Sequence, residues 1–376
     1  LAYLFLNYEP LAMAITYDHP SVKTVHCTGN SYEIGFTHGQ AASVEVHNNI
    51  RTYTGFFAET VHLTWDQARE RAVAEFIPTL QKKYPEILEE MRGIADGAGG
   101  GLTAADILTL NVRSEIALTN YADGCTSLSQ KAPDGKIFVA QNWDWLEELQ
   151  KGLVFLHIRP AGSETELKFL SEGGIVGKIG MNNAGFGLCS NALRSGAYNQ
   201  HNLPIHVMSR RLLQYATSVD SALSIINSLG TASASNYMLA DKSGNHLDVE
   251  CSPHGNVIIL PHNDYVAHTN HLYGPNRPAR LVDHPAPNSM SRLLRIQELC
   301  EQDRKNAVQT SFESLRTRFS DQDGFPYSIC RFRPPGAVGM ERMITLSTIM
   351  MELRSGIGKV LIGNPCDDLP VVEWSF

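Results

Sequence analysis

Up to about residue 120 the apolar residues of this chain recur at helical spacing; beyond Cys125 they fall into short runs and alternations separated by turns. The helical part opens with "GNSYEIGFTHGQAA", a turn entering a helix that extends to about Phe57. Thr64 and Gln67 form a capping-box pattern ahead of "WDQARERAVAEFIPTLQKKYPEILEEMRGIADGAG", which reads as a helical run interrupted at Pro78 and Pro85. Thr103 with Asp106 starts another short helix, "AADILTLNVRSEIALT".

The strand part reads "KIFVAQNWDW", "LVFLHIRP", "ELKFLSEGG", "GFGLCSNAL", "SNYMLADKSG", "HLDVECSPHG" and "NVIILPHNDYVAHTNH", with turns such as "PDGK" and "KSGN" between runs. One amphipathic helix, "PIHVMSRRLLQYATSVDSALSIINSLG", interrupts the strands, and another, "SMSRLLRIQELCEQ", follows them. Each element needs a partner for its apolar face, so the expected product is an α+β protein with layers of helix and antiparallel sheet in one core.

Composition narrows the function classes. A chain of 376 residues can bury a substantial core. Its net charge of −8 argues against a nucleic-acid or anionic-membrane partner. No apolar run approaches the roughly 20 residues of a membrane helix. The opening "LAYLFLNYEPLAMAITYDHP" lacks the basic start and small-residue cut site of a secretion signal. Residues 1–20 are therefore expected to be an extension outside the fold, with Met13 a candidate start. Seven cysteines lie scattered with no Cys-x-x-Cys pair, the pattern of a reduced, intracellular protein.

One cysteine stands apart. Cys189 and Cys300 sit within apolar patterns, as inert structural thiols do. Cys125, in "YADGCTSLSQKAPDGKIFVAQNWDW", lies between Gly124 and Thr126 at the change from helix to strand. Glycine there lets the backbone bend and leaves its carbonyl open to attack.

"DGCTSL" followed by "QNWDW" resembles the processing site of the isopenicillin N acyltransferases (acyl-coenzyme A:6-aminopenicillanic acid acyltransferases), members of the N-terminal nucleophile hydrolases. "EIGFTHG", "LNVRSE", "SEGGIVGKIGMNNAGFG", "HTNH" and "FPYSICR" match as well, in family order from about Val22 onward. The resemblance implies a four-layer αββα sandwich and a precursor that cuts itself between Gly124 and Cys125. Residues 21–124 would form a helical chain and 125–376 the larger chain, the two staying together as a heterodimer in one catalytic domain. It also implies that Asn270 is the oxyanion donor, that Asp144 holds the nucleophile's amine, and that Arg331 completes the polar network; Asn142 is a further candidate.

The chemistry follows from the residue types. A cysteine inside a chain has no amine of its own, and cleavage on its N-terminal side supplies one. The reference pKa of that amine, about 7.7–8.0, suits it to relay the thiol proton. The thiol would then take an acyl group as a thioester and pass it to an amine or to water. The expected partners are a small-molecule acyl donor and an amine acceptor, such as the β-lactam nucleus 6-aminopenicillanic acid. No metal or redox cofactor is expected, and a coenzyme A thioester is the candidate co-substrate.

Other readings compete. His262, His268 and His271 raise a metal site, but "HTNH" lacks the glutamate and the helix of a zinc motif. "SEGGIVGKIG" has the wrong spacing for a phosphate loop. Arg210 and Arg211 read as a solvated helix face, Arg113 and Glu115 as structural ion pairs near the cut site, and His38 as a satisfied buried histidine. A non-catalytic homologue serving as a small-molecule binding module would lack the nucleophile or its partner, and both are present. A cysteine protease with a histidine base finds no supporting sequence around Cys125. The spacing from Cys125 to Asp144 is one residue longer than in the family, Leu128 and Ser129 differ from it, and "EWSF" is no peroxisomal tripeptide. The expected compartment is thus the cytoplasm or the peroxisome.

Overall fold

Alternation along Ile137–Leu146 divides the core. Phe138 and Ala140 enter one apolar cluster with Leu293, Ile296, Leu315 and Phe319, while Ile137, Val139, Trp143 and Trp145 enter another that runs through most of the molecule. The strand expected at "KIFVAQNWDW" forms and is buried on both faces. The computed structural model describes residues 17–18, 22–117, 120 and 124–376. The extension expected over residues 1–20 lies outside the described residues apart from Tyr17–Asp18, and so do residues 121–123 just before the expected cut.

Two sheets stack face to face. The larger runs Tyr17–Asp18, Lys23–Gly29, Leu153–Pro160, Leu167–Glu172, Ile179–Asn182, Phe186–Ala192, Ser235–Asp241, His246–Cys251 and Val257–Ile259 from edge to edge. The smaller runs Tyr265–His268, Gly124–Lys131, Ile137–Leu146, Met343–Glu352, Ile357–Ile362 and Val371–Ser375. Helices Ser31–Ala41, Ile205–Tyr215 and Val219–Leu229 pack on the larger sheet, and Ser289–Lys305 and Phe312–Phe319 on the smaller. The result is the expected αββα sandwich. Residues from both sides of Cys125 share its main core.

Several details differ from the sequence reading. The helix expected to extend to about Phe57 is two, Ser31–Ala41 and Ser43–Thr60, and the one amphipathic helix expected among the strands is also two, Ile205–Tyr215 and Val219–Leu229. Lys23–Gly29 is a strand, pairing in parallel with Leu153–Pro160; a parallel pairing of residues so far apart leaves no local mark. Pro78 does not interrupt its helix, which runs unbroken over Trp65–Lys83, so the fold absorbs the one backbone bond that a proline removes. The stop comes at Tyr84, and Pro85 starts Pro85–Ala98 at the position where proline is tolerated. The Thr64–Gln67 box forms as expected, with Gln67 N donating to Thr64 Oγ1 at 3.3 Å and Thr64 N to Gln67 Oε1 at 2.9 Å.

"EIGFTHG" is one half of a helix pair. Ser31–Ala41 and Pro85–Ala98 cross so closely that a Cβ on Gly35 would stand 1.9 Å from Glu90 O, and one on Gly93 would stand 2.2 Å from Tyr32 O. Gly39 and Gly97 meet Ile94 O and Phe36 O at 2.0 and 2.2 Å in the same sense. The pair holds His38 fully buried, where burial pushes its pKa down to about 3. The neutral ring accepts the Gly174 N–H at Nε2, 3.1 Å away, and so ties the first helix to the "SEGG" turn.

Because the atoms in the way are backbone, Gly93→Ala should destabilise the protein by about 1–3 kcal/mol. Gly55→Ala, on an exposed helix face with nothing within 4 Å, should be neutral or stabilise by up to about 1 kcal/mol. Denaturant midpoints of the two variants test this, and equal midpoints would remove the close-approach account.

Candidate active site

Register places the residues. Gly124–Lys131 pairs antiparallel with Ile137–Leu146 so that Gly124 faces Asp144, Cys125 faces Trp143 and Thr126 faces Asn142. Side chains alternate, so the Cys125 thiol and the Trp143 ring share the space between the sheets, while Thr126, Asn142 and Asp144 point to the helix layer. The Gly124–Cys125 peptide bond lies between these two sides.

Cys125 is buried, and its backbone is gripped. Its N–H donates to Asn270 Oδ1 at 2.7 Å, and its carbonyl accepts from Arg292 Nη1. Arg292 also donates from Nη1 to Thr126 Oγ1 at 3.0 Å and from Nη2 to Asn270 Oδ1 at 2.9 Å. Asn270 Nδ2 donates to Ala192 O at 3.1 Å. With two donors on its oxygen, the orientation of the Asn270 amide is fixed by the network.

Sequence reasoning missed Arg292. The signal was present, since Arg292 stands on the same helical stripe as Leu293, Ile296 and Cys300, where a charge has no place unless something buried needs it. Its partners come from segments far apart in the chain, and only the fold supplies them.

Asp144 is fully buried. Oδ1 accepts from Thr345 Oγ1 at 2.7 Å, and Oδ2 has no hydrogen-bond partner among the described residues. A Cβ built on Gly124 would stand 2.8 Å from Asp144 Oδ2 and 3.0 Å from Arg331 Nη1, so residue 124 has room only for glycine. Burial pushes the Asp144 carboxyl up to about 6, against the opposing pull of the Arg292 and Arg331 charges and the Thr345 bond. Arg331 is tied through its backbone, N donating to Thr345 Oγ1 at 2.8 Å, and its guanidinium lies over the Tyr327 ring. Among the described residues it makes no direct ion pair with Asp144, and its charge acts on the carboxylate through space. Asn142 is saturated: Nδ2 donates to Phe319 O and Ile329 O, both at 2.9 Å, and Oδ1 accepts from Thr348 Oγ1. It anchors the loop that carries Arg331.

On the thiol side a cavity of about 30 Å³ is lined by Cys125, Trp143, Arg113, Lys178, Asn191 and His206, among others. Behind it, Glu172 receives Arg113 Nη2 at 3.0 Å, Lys178 Nζ at 2.8 Å and the Tyr53 hydroxyl. Burial alone would raise the Glu172 carboxyl, but these cations and hydrogen bonds hold it far below the carboxylate range. The Lys178 ammonium lies over the Trp143 ring, 3.1 Å from its centroid. "LNVRSE" and "SEGGIVGKIG" are thus two halves of one buried ion cluster.

Arg113 forms the expected structural ion pair, with Glu172, but Glu115 is held by hydrogen bonds instead: its Oε1 receives Ile205 N and Ser233 Oγ, both at 2.9 Å. Arg210 is not on a solvated face; it is buried and gives Nη1 to Glu90 Oε1 at 2.6 Å. Of the "HTNH" histidines, His268 donates to Glu250 Oε1 and Thr269 O, and His271 meets Ser289 Oγ.

A family model described as acyl-coenzyme A:6-aminopenicillanic acid acyl-transferase matches residues 130–367. The acyl-coenzyme A:6-aminopenicillanic-acid-acyltransferase 40 kDa form of Emericella nidulans is 31% identical over 344 residues, 91% of this chain and 92% of that protein. Among solved structures, a variant of the conjugated bile acid hydrolase of Clostridium perfringens is 12% identical with a TM-score of 0.49, over 67% of this chain and 97% of that one. The Caenorhabditis elegans ortholog of N-acylethanolamine-hydrolyzing acid amidase is 16% identical with a TM-score of 0.44, over 61% and 93%. The matched region contains Asp144, Asn270, Arg292 and Arg331, and the chain is an enzyme of the acyl-coenzyme A:6-aminopenicillanic acid acyltransferase family.

Proposed function

We propose that the protein is a self-cleaving acyltransferase or amidohydrolase that carries its acyl group as a thioester on Cys125. The observation that carries this reading is the grip on the backbone of residue 125. Asn270 holds the nitrogen of the Gly124–Cys125 bond and Arg292 the carbonyl on the far side of Cys125, while the unpartnered oxygen of Asp144 lies against Gly124. A buried carboxylate oxygen without a partner is costly unless a donor arrives, and a new α-amine at Cys125 would be that donor.

In the first stage the Cys125 sulfur attacks the Gly124 carbonyl carbon. The C–N bond breaks, the nitrogen gains a proton and becomes the Cys125 amine, and Gly124 is left as a thioester on sulfur. Water then hydrolyses the thioester, giving chains 1–124 and 125–376. The Glu172 cluster supports their remaining together, because Tyr53 and Arg113 lie before the cut and Glu172 and Lys178 after it.

In the second stage the amine relays the thiol proton and the sulfur takes the acyl group of a thioester or amide donor. Asn270 serves both stages with different atoms. Oδ1 fixes the nitrogen, and Nδ2, its one donor group, exchanges Ala192 O for the substrate's oxyanion. The acceptor is an amine such as the 6-aminopenicillanic acid nucleus, or water, and coenzyme A leaves where the donor is its thioester. The family match supports this choice of substrates.

Three outcomes follow. Wild-type protein should separate into two chains, the larger beginning at Cys125 by intact mass, and Cys125→Ala should stay whole; fully active protein with the Gly124–Cys125 bond intact would sink the proposal. Asn270→Ala should lose about 100- to 1000-fold in turnover. Measuring cleavage and turnover separately tells which Asn270 atom is missed, and full turnover would remove its role. The third concerns pH. The folded pKa of Asp144, about 6, lies above its ordinary 3.8, so the carboxylate destabilises the fold above pH 6 and the effect vanishes as pH falls below about 4. In the uncleaved Cys125→Ala background, Asp144→Asn should therefore gain about 1–3 kcal/mol at pH 8 and nothing near pH 4. A gain independent of pH would show that Asp144 is not charged there.

A further inference from the structure

Outside the nucleophile itself, two thiols lie in contact. Cys330 Sγ and Cys366 Sγ are 3.5 Å apart, though 36 residues separate them in the chain. Cys330 is fully buried, and Cys366 is partly exposed. A disulfide has its sulfurs about 2.0 Å apart, so closure brings them together by about 1.5 Å.

Both ends are fixed to something. Cys366 lies in a loop held by Arg316, which donates from Nε to Pro365 O at 3.1 Å and from Nη2 to Asp367 O at 2.8 Å. Cys330 lies between two residues that are tied to the site. Ile329 O receives Asn142 Nδ2, and Arg331 N donates to Thr345 Oγ1, which in turn donates to Asp144 Oδ1. Any displacement of Cys330 therefore reaches Asp144 and Arg331 through one or two hydrogen bonds.

We propose that Cys330 and Cys366 are an oxidisable pair whose disulfide, formed with a small-molecule disulfide such as glutathione disulfide, slows acyl transfer by drawing the Arg331 segment away from Asp144. The partly exposed Cys366 thiolate attacks one sulfur of the small disulfide and expels one small thiolate, leaving a mixed disulfide. Cys330, losing its proton to solvent, attacks the Cys366 sulfur and expels the second. Two electrons pass from the protein pair to the small disulfide, and the two released thiolates take up two protons. A thiol reductant reverses the sequence. The effect on rate follows from position, since a misplacement of about 1 Å near reacting groups costs up to roughly 100-fold.

The test has two arms. Only the second rests on the acyl-transfer reading above. In the first, the whole Cys125→Ala chain is equilibrated with glutathione and glutathione disulfide. Its mass should fall by about 2 Da, with two alkylatable thiols lost and a peptide map joining Cys330 to Cys366. Persistence of both thiols under strongly oxidising ratios overturns the proposal whatever the enzyme does. In the second, wild-type turnover should fall about tenfold or more on oxidation and return with dithiothreitol, while Cys366→Ser keeps its turnover throughout. Cys366→Ala serves equally if the serine variant folds poorly. A disulfide that leaves turnover unchanged overturns the coupling, and so does equal loss in the Cys366 variants, which would place the oxidation on Cys125.

Discussion

A single buried carboxylate holds together the parts on which everything else rests. Glu172 has no exposure, and it is neutralised by Arg113 and Lys178 and bonded by Tyr53. Removing one partner of such a pair typically costs about 3–5 kcal/mol, because the charge left behind is uncompensated. The cluster also shapes the site. Lys178 sits on the face of Trp143, and Trp143 is the register partner of Cys125, so the wall of the thiol cavity is set by the same charges that join the helical and strand parts of the chain.

The pleat of the sheet then gives the site its two sides. Because successive side chains leave a strand on opposite faces, the thiol and the carboxylate cannot share one face when they stand at adjacent register positions. What passes between them is the backbone at residues 124 and 125. This accounts for Gly124 without reference to flexibility: its Cβ position is already taken by Asp144 and Arg331. It also gives Arg292 its place, as the cation that crosses from the helix layer to hold the Cys125 carbonyl and the Asn270 amide together.

Local signals in the sequence were read well. The change of period at Cys125, the Thr64–Gln67 cap and the apolar stripes of the later helices all correspond to what forms, since each is decided by residues within a turn or two of one another. The pairings were not legible. Arg113 with Glu172, Arg210 with Glu90 and Arg292 with Asn270 bring together charges from distant segments, and an arginine on an amphipathic helix looks alike whether it meets water or a buried acid. "EIGFTHG" was recognisable as a motif, but its reason, a helix crossing without room for a Cβ, needed the partner glycines at 93 and 97.

Hydrolysis and transfer would use the same catalytic groups, so the choice between them rests on what reaches the proposed thioester. The cavity at Cys125 measures about 30 Å³, enough for one or two waters, whereas pockets for small organic ligands run to roughly 300–1,000 Å³. That is room for water beside the sulfur, which the proposed hydrolysis of a Gly124 thioester would need. An acyl group and an amine acceptor need far more room, so the proposed cleavage has to enlarge the cavity before transfer begins. The Glu172 cluster limits where that enlargement takes place, because the Trp143 and Lys178 wall is pinned by buried charge.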